Sequence, residues 1–294
     1  MQPTRVRPAR SRHPRHWWLI VLAATALALA SGESPAGPYR EYEIRVTADM
    51  PAALARNPTD SDLIHAIASL MTTRLELPLP PSVRAYVYVN EATLVDGLIT
   101  LAGEKSEDAW DRGRFAAGVA TRVGIFFRGD YLAQMHLLAR AGLFAHELTH
   151  VSQRTLAKNR RVRGDQWLRE GHADWVKFRV LDLLGFRRFS ESRDEVMRAV
   201  LRSTTPLHLF PSLDTLASNT SWTASMNRLG APATYGQAFL AVDWLVERHG
   251  DDKVREIFTR HQADGDFQAQ WAKVFSISYR EFVEEFRARL ELMR

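Results

Sequence analysis

The sequence predicts an α+β fold, a small mixed sheet lobe followed by a mainly helical lobe. Two patterns carry this reading. Before residue 130, Val83–Val89 alternates strictly, with Val83, Ala85, Val87 and Val89 on one side and Tyr86 and Tyr88 on the other, the period of a strand. After Asp130 the apolar spacing turns helical almost throughout, and no proline interrupts Leu132–Leu156. Strands first and helices afterwards is the order of an α+β domain.

The elements follow in chain order. Glu43–Thr47 reads as a first strand. Ser61–Glu76 carries Leu63, Ile64, Ile67, Leu70 and Met71 at helical spacing, with Asp60 and Ser61 as capping candidates, and Pro78, Pro80 and Pro81 stop it. Val83–Val89 is the second strand and Glu91–Ala102 a short helix. Gly113–Phe127 reads as two β segments around Gly118 and Gly124, the second being Arg122–Phe127. Helices follow over Leu132–Leu156, Asp165–Leu184 and Glu191–Arg202. Ser203–Thr234 is rich in Ser, Thr and Pro without periodicity and reads as a long loop. Its Leu207, Phe210, Leu213 and Trp222 are either a contact surface bordering a cleft or packing for later helices. Helical patterns over Tyr235–Arg248, Asp252–His261, Phe267–Val274 and Tyr279–Met293 complete the chain.

Residues 1–30 read as a secretory signal. A basic segment ends at His16, an apolar run spans Trp17–Ala30, and Ala28 and Ala30 supply the small residues that signal peptidase requires. The run is short for a membrane span, which needs about 20 residues. An exported protein, periplasmic or secreted, is expected, with an inner-membrane anchor over residues 17–30 as the alternative. Residues 31–39 read as a flexible tether. The rest, 40–294, reads as one domain, with an N-lobe over 40–157 and a helical C-lobe over 158–294. The chain has 39 Lys and Arg against 34 Asp and Glu. Arg5, Arg7, Arg10, Arg12 and Arg15 account for the whole excess, and no acid lies among the first thirty residues. The charge balance therefore gives no reason to expect a nucleic-acid partner. The absence of cysteine excludes disulfides, thiolate metal sites and a cysteine nucleophile.

The chemistry is concentrated at residues 146–150, His-Glu-Leu-Thr-His. On a helix, positions four apart share a face, so His146 and His150 can hold one Zn²⁺ through their ring nitrogens. Glu147 is rotated by about 100°, and from there its carboxylate can reach a water on the metal as a general base. A catalytic zinc takes three protein ligands and keeps one position open. A metzincin would place Gly at 153 and His at 156, where this chain has Gln153 and Leu156. An aspzincin would need an Asp near Ala233-Thr234-Tyr235-Gly236, and none is there.

Residues 167–173, Trp-Leu-Arg-Glu-Gly-His-Ala, resemble the Trp-Leu-x-Glu-Gly-x-Ala segment of gluzincin metallopeptidases, the clan of thermolysin and the aminopeptidase N family. The similarity runs from about Val83 through Leu290. In length and spacing it is nearest to short bacterial secreted proteins of the peptidase MA-like kind. It implies a zincin-like fold with the active-site helix between the two lobes. It implies Glu170 as the third zinc ligand, and Asp174, one turn further on, as the carboxylate that hydrogen-bonds a ligating histidine. Tyr235 resembles the tyrosine that donates to the developing oxyanion. Arg122–Phe127 resembles the edge strand that pairs with extended substrate. The Gly-x-Met-Glu-Asn segment with which aminopeptidases bind a free N-terminus is absent, so the resemblance implies an endopeptidase acting on a peptide or protein. The alternative is a zinc-binding, non-peptidase scaffold or binding module of the cell envelope.

Other residues carry blander readings. His172 is two positions from Glu170 and projects away from it, toward substrate or the surface. His208 sits in the long loop, away from the expected cleft. His65, His136, His249 and His261 read as structural. Lys158–Arg163, with Arg160, Arg161 and Arg163, reads as a solvated turn between two helices.

Overall fold

The structure is a computed structural model that describes residues 39–47, 54, 57–158, 165–260 and 266–293. The signal segment 1–30, most of the tether, the basic residues 160–163 and His261 lie outside these. Among the described residues the chain runs β1 (Tyr39–Arg45), α1 (Asp60–Arg74), β2 (Ser82–Tyr88), α2 (Glu91–Thr100), α3 (Ser106–Phe115), β3 (Gly118–Ala120) and β4 (Ile125–Arg128). It continues through α4 (Gly129–Leu132), α5 (Leu137–Leu156), α6 (Gln166–Leu183), α7 (Phe189–Leu201), α8 (Asn219–Leu229) and α9 (Ala231–His249). It ends with α10 (Asp251–Arg260), α11 (Phe267–Phe275) and α12 (Tyr279–Leu292). This is the α+β order that the sequence predicts.

The strands form one mixed sheet in the order β1-β2-β4-β3. β1 is antiparallel to β2, β2 parallel to β4, and β3 antiparallel to β4. The alternation in β2 has a direct consequence. Val83, Ala85 and Val87 join Ile125, Phe127, Phe144 and Leu148 in the main core, on the face covered by α1 and α5. Tyr86 and Tyr88 join Phe126, Leu94 and Leu98 under α2 and α3. Both faces of the sheet are therefore buried. Phe127 meets Phe144 edge-on at 5.0 Å, which fixes α5 against the sheet.

Several boundaries differ from the sequence reading. α1 is capped by Thr59, whose hydroxyl and the Asp62 carboxylate form a reciprocal capping box, rather than by Asp60 or Ser61. Gly113–Phe115 ends a helix, α3, whose only buried residues are Ala109 and Gly113, so it carries little apolar period. The helix expected from Leu132 begins at Leu137, after a turn in which the His136 ring accepts from the Ala139 amide. The expected loop 203–234 is substantially ordered. It contains two 3₁₀ turns and α8, capped by Ser218. Phe210, Leu213 and Trp222 are buried in the core, so they serve packing rather than a contact surface. The strand compared with a substrate-binding edge also changes. β4 is interior, paired on both sides, and among the described residues the edge on its side of the sheet is β3. Among the described residues, no helix is long and apolar enough to cross a membrane.

Candidate metal centre

Two helices carry the candidate ligands, and local packing fixes both. α5 buries Phe144, Leu148 and Val151 against the sheet side, which turns His146 and His150 toward α6. The start of α6 is held by Trp167, which is wholly buried and stacks on Phe282 at 6.0 Å. Its indole N–H donates to Asp165 Oδ2 at 3.1 Å and to the Tyr279 hydroxyl at 3.0 Å. Truncating such a side chain costs about 3–5 kcal/mol, so the turn carrying Glu170 is firmly placed. Gly171 lets α9 approach α6 closely, because a Cβ there would lie 2.3 Å from the Ala238 carbonyl oxygen. That crossing brings Tyr235, the fifth residue of α9, to 6.2 Å from the His146 ring, centroid to centroid.

His146, His150 and Glu170 converge. His146 Nε2 lies 3.2 Å from His150 Nε2 and 3.2 Å from Glu170 Oε2. His150 Nε2 lies 3.6 Å from Glu170 Oε2. Among the described residues this is the group of histidine and acidic side chains able to hold a metal ion. The hydrogen bonds around it leave the right atoms free. His146 Nδ1–H donates to Asp174 Oδ1 at 2.9 Å, which directs Nε2 to the centre. The Gln153 amide nitrogen donates to the Arg169 carbonyl at 2.9 Å, so its oxygen must face His150 and accept from Nδ1–H at 3.0 Å. In the neutral ring, this bond makes Nε2 the nitrogen that carries the lone pair. Gln166 Nε2 donates to Glu170 Oε1 at 2.7 Å and leaves Oε2 toward the two rings.

The electrostatics favour a cation at this point. Burial alone raises the pKa of Glu170, but the neighbouring His150 and His146 outweigh it and hold the carboxyl well below its ordinary range. Asp174 is likewise pulled up by burial and held down more strongly, by Lys177, whose ammonium donates to it at 2.7 Å, and by His146. For His146 itself burial opposes the charge, yet its bonds to Asp174 and Glu170 raise its pKa to about 10. A metal ion held by this group would compete with a proton for the same buried position.

Glu147 and Tyr235 border the space beside the ligands. They line, with His146 and Asp174, a cleft of about 580 Å³ whose apolar wall includes Phe115, Leu143 and Phe178. Glu147 packs on Gly118 of the edge strand β3, where a Cβ would stand 2.9 Å from Glu147 Cγ. Tyr235 is pushed well above the ordinary phenol pKa, first by burial and then by the charges of Glu170 and Asp174.

All six residues singled out from the sequence, His146, Glu147, His150, Glu170, Asp174 and Tyr235, meet around this point. His172 does not reach the cleft or the surface. It is wholly buried, with its ring 5.2 Å from that of Phe258. His208 is exposed, and its carbonyl accepts from Arg287. Gln153 and Gln166 escaped the sequence reading. Each is one helical turn from a ligand, the only sequence signal that could have marked them. Set against protein-family models, curated proteins and solved structures, the chain finds no match in any of the three. The chemistry of the site therefore rests on its own geometry.

Proposed function

We propose that this protein is an exported zinc metallopeptidase of the gluzincin kind, cleaving internal peptide bonds. One observation carries the metal reading: the three donor atoms stand 3.2, 3.2 and 3.6 Å apart. Ligands about 2.0–2.1 Å from a tetrahedral zinc are separated by about 3.3 Å. His146, His150 and Glu170 would hold the ion. When bound, zinc supplies Lewis-acid chemistry, polarising a carbonyl and making water a better nucleophile near neutral pH.

The chain's own groups do the rest. Glu147 Oε takes a proton from the water that adds to the peptide carbonyl carbon, then gives it to the amide nitrogen as the C–N bond breaks. The Tyr235 phenol stays protonated at neutral pH and donates to the oxygen on which negative charge develops. β3, an edge strand among the described residues, lies beside Glu147 and is suited to pairing with an extended peptide, and the apolar wall suits an apolar side chain. Export rests on the signal-like residues 1–30, with residues 17–30 as an anchor if they are retained.

The decisive variant is Glu147→Gln, compared with wild type on a peptide library in parallel with metal analysis. Cleavage by wild type, and zinc retained without cleavage in Glu147→Gln, is the expected result. A fully active Glu147→Gln protein overturns the base assignment. Zinc bound by an inactive wild type overturns the peptidase assignment and leaves an envelope binding module.

A further inference from the structure

The two ligating histidines are held by different chemistry. His146 leans on a carboxylate, Asp174, while His150 leans on a neutral amide, Gln153. Gln153 is 1 % exposed, so water does not share its bonds. Every hydrogen-bonding direction of its amide is used except a second lone pair on oxygen. Oε1 accepts from His150, one amide hydrogen goes to the Arg169 carbonyl, and the other goes to His172 Nδ1 at 3.3 Å.

Each of these partners constrains the centre. The Arg169 carbonyl belongs to the peptide that precedes Glu170, so one side chain on α5 ties the ring of His150 to the backbone of the third ligand on α6. Accepting from Gln153 fixes His172 with its proton on Nε2. That N–H faces Asp251 Oδ1 at 3.7 Å, at the start of α10, beyond hydrogen-bond distance, and neither atom has a hydrogen-bond partner. Asp251 Oδ2 in turn faces Arg255 Nη1 at 3.4 Å. A buried polar row thus runs from the metal ligand to α10: His150, Gln153, His172, Asp251.

We infer that Gln153, backed by His172, is the positioning residue that holds His150 in its metal-binding tautomer and registers it against Glu170. This inference rests on the zinc reading above. The hydrogen bonds choose the mechanism: a rotated Gln153 amide would set its nitrogen against His150 Nδ1–H and its oxygen against the Arg169 carbonyl, two repulsive contacts. A side chain of equal size without an acceptor leaves His150 free to carry its proton on Nε2, where it blocks the metal.

The test measures zinc affinity by chelator competition on the full chain, with the melting temperature of each zinc-free protein. The variants are Gln153→Met, which keeps volume without an acceptor, Gln153→Glu, which keeps an acceptor for His150 but gives up the donor to the Arg169 carbonyl, and His172→Phe. Weakening of zinc by about 10–100-fold in Gln153→Met, with a smaller loss in Gln153→Glu and a measurable loss in His172→Phe, supports the assignment. Unchanged affinity in Gln153→Met overturns it. Equal weakening in Gln153→Met and Gln153→Glu also overturns it, since the acceptor is then not the cause. Should Gln153→Met not fold, tight zinc in Gln153→Glu with a measurable loss in His172→Phe supports the row, and unchanged affinity in His172→Phe with lost affinity in Gln153→Glu overturns it. Failure of wild type to bind zinc is a separate outcome, which removes the metal centre itself.

Discussion

His146 donates its Nδ1 proton to Asp174, one helical turn beyond Glu170, across 2.9 Å. One face of α6 therefore supplies both a candidate ligand and the carboxylate bonded to another candidate ligand. Asp174→Ala is expected to weaken zinc by about 10–100-fold, read by chelator competition. Wild-type affinity in that variant would show that the contact does not orient His146.

Tyr235 stands beside the ligands without belonging to them. Tyr235→Phe removes only the hydroxyl and leaves the ring packed on Trp222, 5.0 Å away. Zinc content is expected to stay at the wild-type level while kcat on a cleaved peptide falls about 10²–10³-fold. A change in KM alone would make the hydroxyl a binding contact instead.

Gly171 sets the distance between α6 and α9. Gly171→Ala places a methyl against the Ala238 carbonyl, and backbone must move to admit it. A loss of about 1–3 kcal/mol is expected, measured by denaturant unfolding of the zinc-free protein. An unchanged midpoint would mean that the two helices separate freely.

Acid stability has a traceable contributor away from the cleft. Arg128 is buried at the end of β4 and donates to Asp130 at 3.1 and 2.7 Å. These bonds lower the Asp130 pKa below its ordinary value. A depressed carboxylate stabilises the fold fully above its unfolded pKa, about 3.9, and loses that contribution as pH falls through the folded value. The melting-temperature gap between wild type and Asp130→Asn is expected to be constant above about pH 5 and to close below about pH 4. A gap independent of pH would assign it to packing.

What is legible in the sequence follows from period. His146 and His150, and Glu170 and Asp174, are pairs four apart on helices with clear apolar spacing, so their shared faces can be read directly. The two faces of β2 are legible for the same reason. Tyr235 depends on a crossing of α6 and α9 that no local pattern encodes, and resemblance alone pointed to it. Gln153 is illegible as a positioning residue because two of its three partners, the Arg169 carbonyl and His172, lie on α6. α8 is missed because Ser, Thr and Asn dominate it, although Trp222, Met226 and Leu229 keep helical spacing. α3 is missed because a helix over a sheet edge region needs to bury little, here only Ala109 and Gly113.

Zinc content of the purified full chain, measured beside Glu170→Ala, bears most directly on whether His146, His150 and Glu170 form one metal centre. About one zinc per chain in wild type, and loss of most of it in Glu170→Ala, is the result this geometry requires. A zinc-free wild type, or a Glu170→Ala protein that keeps its zinc, would contradict it.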